Sequence, residues 1–553
     1  MHVRICMYHS IKYACLIVSI LLAAFIKATP IDSTTAKIAA ANFYALRYSI
    51  KNPNLSLVYT EMSPEGEPAY YIYNVYPDSG RGFVIISADD AAHPIIGYSS
   101  EGYYSLAHLS TNFTYWMKRY KTQVADIRQR HVKPTADIAD EWNAYKNNMP
   151  LKRAVKSSNS VTPLVSTMWA QAPYFNAECP GNCVAGCVAT AMGQIMKYWA
   201  YPPHGVGTSS YTDAPFGALS AIYDTTHYYW SEMPANIVRK NPQVATLMYD
   251  CGISVNMSYV DSSSSSYMIV SDNPPSGISA QSAFMKYFGY NSSTIQGLYM
   301  SNYSGSEWIS LLENELNNKR PFQYAGSGNQ GGHSWVCDGY ESNNYFHMNW
   351  GWAGYEDGYF NLSSLNPDNI PLSDGEEALI GIQPAPAVAD FNGYPLIVWA
   401  GDTVHFIDNS FGTSAITAWQ WSFEGAINPG STIPNPMAIY TTPGSYFVSE
   451  TVTSGQGNGT STKLDYVLVL PNNTVNVYPT LSDGTFTAQL HDASLADNNI
   501  RFSLYNELGQ KVYTTTLVQY RTSITVNVPH GIYIFRAFDA SGKPISTGKM
   551  MIK

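Results

Sequence analysis

Charged residues are scarce in this chain. Asp, Glu, Lys and Arg make up 13% of the 553 residues, against roughly 25% in ordinary soluble globular proteins. The formal net charge of −10 is spread along the sequence, so no basic patch that would bind phosphates is predicted, and nucleic acid is excluded as a partner. Tyrosine and glycine are abundant instead, with 43 and 40 residues, which is typical of exported proteins rich in β-structure.

Long apolar runs are also rare, and the one that stands out lies at the N-terminus. Its apolar core, residues 14–26, follows Arg4 and Lys12. Ala28 then offers a small residue for cleavage. Because this core is shorter than the ~20 residues of a membrane-spanning helix, a signal peptide over residues 1–28 is predicted, with an uncleaved anchor as the alternative. The chain is therefore expected to be exported.

Cysteine is scarce as well. The sequence holds seven, of which Cys6 and Cys15 lie in the predicted signal peptide. The others are Cys179, Cys183, Cys187, Cys251 and Cys337. An odd number in an oxidising compartment leaves at least one thiol without a partner in the same chain. Such a thiol is expected to be either used or deeply buried.

Three of these cysteines lie in one stretch, "CPGNCVAGCVATAMGQIMKYW". Cys179 and Cys183 flank a Pro-Gly-Asn turn,. From Cys187 onward, apolar residues recur with helical spacing as far as Pro202,. Cys187 is therefore predicted at the N-terminal end of a buried helix. Free backbone N–H groups and the helix dipole favour a reactive thiolate there, and they can also stabilise an oxyanion beside the sulfur.

Other interpretations of these cysteines stay open at this point. A structural zinc site needs four ligands, usually from two paired clusters, whereas Cys251 and Cys337 each stand alone,. A short disulfide between Cys179 and Cys183 would leave Cys187 free. Cys187 could also be buried and inert, since free cysteines are among the most buried residues. A catalytic role for Cys187 requires a base.

Two histidines are candidates for that base. His333 follows two glycines and leads the strand pattern "HSWVCDGY", while His347 lies in the next pattern, "NYFHMNWGW", with Asn349 and Trp350. A neutral imidazole can take the proton of a thiol, and a carboxamide or indole can orient that imidazole. Cys337 lies on the same strand face as His333 and is interpreted as core packing. Residue chemistry alone leaves both histidines possible.

Several motifs resemble the streptopain family of papain-like cysteine peptidases. They are "AGCVATAMGQIMKYWAYP", "MYDCGISVNMSYVDSSSS", "GGHSWVCDGYESNNYFHMNWGWAGYEDGYFNLSSLNP" and the closing "GIQP", and together they span about residues 160 to 385. The resemblance implies an α+β papain-like catalytic domain. It also implies that Cys187 is the nucleophile, that His333 is the general base, and that His347 is a non-catalytic histidine.

The same resemblance assigns supporting residues. Gln171, in "WAQAPY", would complete the oxyanion hole with the backbone N–H of the nucleophile. Asn349 and Trp350 would flank and orient the catalytic imidazole. The cysteine pair in "CPGNC" is an addition relative to streptopain, and Ala353 stands where a glycine is usual, but neither departure touches the dyad. No metal or other cofactor is expected.

The rest of the chain divides into further blocks. Residues 29–156 resemble the family's α+β inhibitory propeptide, most clearly in "YYIYNVYPDSGRGFVIISADDAAHPIIGYSSEGYY", with cleavage expected between about 152 and 160. The peptidase domain follows over 157–385. Residues 386–471 resemble a PKD-type β-sandwich. Residues 472–553 resemble a type IX secretion sorting domain, also a β-sandwich, which implies export across a Gram-negative outer membrane and secretion or surface attachment.

These features together predict a secreted cysteine endopeptidase made as a zymogen. It would hydrolyse peptide bonds of proteins through a Cys-His dyad and a thioester intermediate. Its partners would be protein and peptide substrates, its own propeptide as an intramolecular inhibitor, and the secretion machinery. One alternative is a non-catalytic surface adhesin that keeps a peptidase fold, although an intact dyad and propeptide argue against it. Another is acyl transfer to an amine by the same residues.

Overall fold

The chain folds into two compact units, divided between residues 385 and 386. The computed structural model describes residues 29–76, 82–151, 160–261, 263–270, 277–328, 331–342, 344–366, 375–470 and 474–553. The predicted signal peptide lies outside the described residues, and so do residues 152–159 of the region where cleavage is expected. In the described part of the chain, no helix combines the length and the apolar character needed to cross a bilayer.

The first unit mixes helices and strands, as the α+β prediction requires. Its helices are α1 Ser33–Tyr48, α2 Thr111–Gln129, α3 Ala136–Lys146, α4 Cys187–Trp199, α5 Pro242–Ser254, α6 Ala280–Lys286 and α7 Gly305–Asn317. Its strands are β1 Asn54–Met62, β2 Pro68–Tyr76, β3 Gly82–Ser87, β4 Ile95–Ser99, β5 Thr208–Asp213, β6 Gly217–Ile222, β7 Gln296–Tyr299, β8 Phe322–Gly328, β9 Gly331–Glu341, β10 Tyr345–Asn349, β11 Gly358–Asn361 and β12 Glu376–Ile380.

One antiparallel sheet runs through the whole first unit. Within the described residues its strand order is β1-β2-β3-β4-β11-β10-β9-β8-β12-β7. Strands β1 to β4 come from the N-terminal segment (residues 29–151), and the others come from the central region (residues 160–385). The two meet at β4 and β11, where Tyr98 faces Tyr359 and Gly97 faces Phe360. The N-terminal segment is therefore an extension of the central sheet, a junction that the sequence does not predict.

Helix α2 ties the N-terminal segment into the core of the central region. It begins after Ser110, whose side chain accepts the Phe113 N–H at 3.1 Å and so caps the first turn,. Phe113 and Trp116 are buried against indoles of the central region, with ring centroids 5.9 Å from Trp350 and 5.6 Å from Trp335, respectively. Burial of large aromatic side chains dominates the energetics of such packing. The two segments consequently share one core.

Helix α4 begins at Cys187 because the residue before it is a glycine. Gly186 has φ +90°, and a Cβ at this position would lie 2.7 Å from the Met257 side chain, so both the backbone and the space favour glycine. The sequence predicted one apolar stripe on this helix. The structure instead buries every residue from 188 to 196, because the helix is enclosed on all sides.

The second unit, from residue 386 onward, is built from strands. They are β13 Phe391–Tyr394, β14 Ile397–Trp399, β15 Thr403–Asp408, β16 Ile416–Phe423, β17 Gly430–Ser431, β18 Met437–Ile439, β19 Gly444–Ser454, β20 Gly457–Leu470, β21 Val475–Tyr478, β22 Leu481–Ser482, β23 Thr485–Leu490, β24 Ile500–Tyr505, β25 Lys511–Leu517, β26 Arg521–Thr525, β27 Gly531–Phe538 and β28 Pro544–Ile552. In the described residues they form two pairs of sheets, each pair with three and five strands. The predicted pair of β-sandwiches is confirmed.

Candidate active site

Cys187 is the most accessible of the predicted thiols. It is partly exposed at the first position of α4, whereas Cys179, Cys183, Cys251 and Cys337 are buried. All five are free thiols, so the possible Cys179–Cys183 disulfide is not formed in this structure. In the described part of the chain, His, Cys, Asp and Glu side chains form no group of three or more suited to a metal ion.

Backbone N–H groups face the Cys187 sulfur. Those of Ser334, Val188 and Cys187 itself act to lower the pKa of the thiol, as a helix N-terminus should,. Burial acts in the opposite direction and outweighs them, so the pKa of Cys187 is raised above its usual value. In this state of the protein the neutral thiol is therefore favoured over the thiolate, because burial destabilises the anion more than these donors stabilise it,.

His333 lies on β9, directly before the Ser334 that faces the sulfur. Its ring packs against Tyr115 of α2, with ring centroids 5.2 Å apart. Burial lowers the pKa of His333, and the nearby Lys118 ammonium lowers it further. No hydrogen bond joins the His333 ring to Cys187 among the described residues. The two predicted dyad residues are thus neighbours in the fold but are not hydrogen-bonded to each other in the described structure.

The first turn of α2 reaches the same place. Asn112 is fully buried, and its Nδ2 donates to the carbonyl oxygens of Ser334 at 2.9 Å and Trp350 at 3.0 Å. One side chain of the N-terminal segment therefore bonds to the backbone of two residues that flank the predicted site. Sequence reasoning missed Asn112, and it missed Tyr115 and Lys118 as well, because no local pattern marks a contact with residues so distant along the chain.

Gln171 is buried in the loop that approaches the start of α4. Its carbonyl oxygen accepts the Ala185 N–H at 3.1 Å, two residues before Cys187. Its neighbour Ala170 pairs with Trp352 of the loop after β10. These contacts hold Gln171 beside the N-terminus of α4, which is the position that an oxyanion-hole residue needs.

Asn349 and Trp350 are fixed by separate sets of hydrogen bonds. Asn349 Oδ1 accepts Gln194 Nε2 at 3.0 Å, and its Nδ2 donates to the Thr167 carbonyl at 2.7 Å. Trp350 Nε1 donates to the Glu356 carbonyl at 2.9 Å. Strand β10 ends at Asn349, so Trp350 lies one residue beyond it rather than within the strand as the sequence pattern suggested. Gln194, on α4, is a further supporting residue that the sequence did not mark.

His347 belongs to a different environment. It is buried, and its Nδ1 lies 2.6 Å from Asp338 Oδ1. Burial lowers the pKa of His347, but the Asp338 carboxylate outweighs that effect and the net pKa is raised. The His347 imidazole is thus bonded to Asp338 in the core, whereas His333 adjoins Ser334, whose N–H faces the Cys187 sulfur.

Comparisons with known proteins match both parts of the first unit. The model of the peptidase C10 family matches residues 169–360, and that of the Spi protease inhibitor matches residues 28–124. Streptopain of Streptococcus pyogenes serotype M28 is 33% identical over 347 residues, which are 57% of this chain and 80% of streptopain. The chain belongs to the peptidase C10 family.

This C10 peptidase covers different shares of two further relatives. Thiol protease/hemagglutinin PrtT of Porphyromonas gingivalis is 30% identical over 392 residues, 65% of this chain but only 42% of PrtT. The chain therefore spans less than half the length of that relative. A solved fragment of prointerpain A from Prevotella intermedia is 26% identical and covers 60% of this chain and 100% of the fragment, with a TM-score of 0.49.

Membership of the C10 family makes the chain a cysteine-type endopeptidase with a papain-like domain and an inhibitor-like propeptide. The peptidase match contains Cys187 and His333. The inhibitor match contains Asn112, Tyr115 and Lys118. The side chains that approach the candidate site of this C10 peptidase from α2 therefore belong to its inhibitor-like propeptide, within the N-terminal segment defined above.

Proposed function

We propose that the chain is the zymogen of an exported endopeptidase that hydrolyses proteins through Cys187 and His333. The observation that carries this proposal is the position of the thiol. Cys187 begins α4, and the backbone N–H of Ser334, the residue after His333, faces its sulfur. A nucleophile at a helix N-terminus beside a strand that carries an imidazole is the arrangement that thiol catalysis needs.

The reaction follows from the roles of these groups. His333 takes the proton of Cys187, and the sulfur attacks the carbonyl carbon of the scissile bond. The resulting oxyanion is stabilised by the Cys187 N–H and the Gln171 side-chain amide. His333 then donates its proton to the leaving amine, which leaves a thioester that water hydrolyses. Asn349 and Trp350, fixed at the end of β10, help to orient the imidazole.

The contacts of α2 support inhibition by the propeptide. The Asn112 amide occupies the carbonyl oxygens of Ser334 and Trp350. Tyr115 packs on the His333 ring, and the Lys118 charge disfavours protonation of that ring. The last two effects oppose protonation of His333, which a thiolate–imidazolium pair requires, and the Asn112 bonds hold α2 against the site. Cleavage between about 152 and 160 and departure of the propeptide would remove all of them.

The remaining parts of the chain are assigned by their sequence. We propose a signal peptide over 1–28, a propeptide over 29–156 and a peptidase domain over 157–385. A PKD-type sandwich over 386–471 would act as a spacer or a weak binding module. The last block, 472–553, would direct the protein through the type IX secretion machinery to the cell surface or the medium.

The test compares the full chain as wild type, Cys187→Ala and His333→Ala, each cut with a trace of trypsin at Lys152 or Arg153. Casein digestion is followed under reducing conditions, since an oxidised Cys187 cannot react. The wild type should digest casein while both variants should not. Cys183→Ala, four residues upstream, is the matched control and should keep its activity. An inactive wild type after complete cleavage would contradict the proposal.

A further inference from the structure

We infer that Gln323 is a positioning residue that holds the helix of the nucleophile and the strand of the general base in register. This inference rests on the proposed function. Gln323 lies near the start of β8, paired opposite Val336 of β9, and its side chain is completely buried. Buried glutamines are uncommon, so the contacts of this amide need an explanation.

The amide of Gln323 joins the two halves of the candidate site. Its Nε2 donates to Ser334 Oγ at 2.8 Å and lies 3.4 Å from the Val188 carbonyl oxygen, a longer bond. Val188 directly follows Cys187, and Ser334 directly follows His333. One side chain of the core therefore bonds to the next residue after each member of the dyad.

The carbonyl oxygen of the same amide, by contrast, does not bond to either half of the site. Gln323 Oε1 is buried and has no hydrogen-bond partner among the described residues. A buried acceptor without a partner destabilises a folded protein, and methionine would fill the same space with no polar atom to satisfy. Fold stability therefore does not explain a glutamine at this position. What glutamine supplies, and methionine cannot, is the pair of Nε2 hydrogen atoms.

The hydrogen bond from Gln323 to Ser334 is most important after the propeptide has left. In the zymogen the Ser334 carbonyl is bonded by Asn112, but that bond departs with the propeptide. The Ser334 Oγ keeps its bond from Gln323 and weaker contacts with the Tyr324 carbonyl at 3.3 Å and Met268 Sδ at 3.6 Å. Because the Ser334 N–H faces the Cys187 sulfur, any drift of Ser334 would remove a donor from the thiolate.

The test measures the trypsin-activated full chain with Gln323→Met. We expect kcat to fall about tenfold with KM changed less than about twofold, because the dyad and not the substrate contacts is disturbed. The pH midpoint of Cys187 alkylation by iodoacetamide should rise by about one unit, since the thiolate loses a hydrogen-bond donor. The thermal midpoint should stay the same or rise, because the orphan oxygen is gone.

Gln281→Met is the matched control. Gln281 is also buried and also has an unpartnered Oε1, but it lies on α6, and among the described residues no hydrogen bond joins its side chain to Cys187, His333 or the residues that follow them. Its replacement should likewise keep or raise the thermal midpoint, and it should leave kcat and the alkylation midpoint unchanged.

Ser334→Ala supplies an independent variant in case Gln323→Met folds poorly. It should reproduce the lower kcat and the higher alkylation midpoint, and adding Gln323→Met to it should change little further, because both remove the same bond. Unchanged kcat and midpoint in both single variants would overturn the inference while leaving the proposed function intact. A wild type that is itself inactive would defeat the proposed function, and the inference with it.

Discussion

At the scale of residues, a few side chains of α2 are proposed to silence the zymogen. Asn112 supplies two of the bonds, one to each of two backbone carbonyl groups of the central region. Both bonds are fully buried, so their loss leaves carbonyl groups without a partner rather than exchanging them for water. Asn112 is therefore expected to contribute more to latency than its size suggests.

Replacing Asn112 with alanine should open the uncut zymogen. The variant loses two buried hydrogen bonds of about 1 kcal/mol each. The fraction of uncut molecules with an exposed site should therefore be roughly 30-fold larger than in the wild type. The rate of Cys187 alkylation by iodoacetamide in the uncut chain measures this fraction. Asn42→Ala is the control, because Asn42 Nδ2 bonds to Tyr145 within the propeptide at 2.7 Å and should change alkylation much less. Equal rates for Asn112→Ala and wild type would contradict the role of Asn112.

The ionisation of the dyad should also change on activation. In the zymogen the pKa of Cys187 is raised and that of His333 is lowered, so both groups are neutral near pH 7. Loss of the propeptide exposes both groups to water and removes Lys118, so the thiol pKa should fall and the imidazole pKa should rise. The pH profile of alkylation should therefore begin at lower pH in the cleaved enzyme than in the uncut chain. Coincident profiles would show that the propeptide does not set the charge state.

At the scale of elements, the pairing of β4 with β11 joins the propeptide strands to the central sheet. Gly97 lies opposite Phe360 at this junction. A Cβ on Gly97 would lie 2.6 Å from the Phe360 ring and 3.0 Å from the Tyr359 carbonyl oxygen. The two strands approach each other this closely only because β4 has no side chain at that point.

Gly97→Ala should therefore loosen the docking of the propeptide. We expect a loss of about 1 to 3 kcal/mol, as for other overpacked sites, seen as a lower thermal midpoint of the uncut chain and faster casein digestion after trypsin cleavage. Gly455→Ala is the control, because a Cβ there meets nothing within 4 Å. The junction would be shown to be unimportant if Gly97→Ala matched the control in both measurements.

Local elements of the site were predictable, whereas contacts between distant segments were not. The helix from Cys187 and the strand that carries His333 follow from periodicity and from glycine positions. Asn112 and Ser334 are 222 residues apart in sequence, and the partners of Gln323 lie on two other elements, so no local pattern reveals either contact. Ala353 was predictable in part. The sequence marked it as a departure from the family, but only the structure shows its left-handed φ of 57°, a conformation in which glycine is the usual residue.

At the scale of the whole molecule, a buried acid pair lies where the propeptide meets the loop after β10. The Glu356 carboxyl group faces the backbone N–H groups of Ser110 and Ser105 of the propeptide, yet neither of its oxygens completes a hydrogen bond in the described part of the chain. Burial raises the pKa of Glu356 to about 8, and the adjacent Asp357 raises it as well. Burial also raises the pKa of Asp357 to about 7.

The docking of the propeptide should therefore weaken as pH rises. When the propeptide leaves, Glu356 meets water and its pKa should return toward the ordinary value of about 4.3. A group with a raised pKa in the docked state stabilises docking fully below that ordinary value, and the stabilisation is lost as pH rises through about 8,. Trypsin-cut Cys187→Ala protein should accordingly retain its propeptide in gel filtration at pH 5 and release it at pH 8.5.

Glu356→Gln should flatten this pH dependence, because an amide does not ionise. Asp250→Asn is the control: Asp250 is another buried carboxyl group with a pKa raised to about 7 by burial, but it bonds to Tyr228 of the central region at 2.8 Å. Its replacement should leave the pH dependence of release in place. An unchanged profile in Glu356→Gln would rule out Glu356 as its source.

The most direct test of the central claim is to label the enzyme with a peptidyl vinyl sulfone and locate the adduct by mass spectrometry. The claim is that Cys187 is a nucleophile activated by His333 and silenced by the propeptide. It predicts one adduct per cleaved chain, on Cys187, with labelling much slower in the uncut chain and in cleaved His333→Ala. An adduct on another cysteine, or equal labelling of the cleaved wild type and His333→Ala, would contradict it.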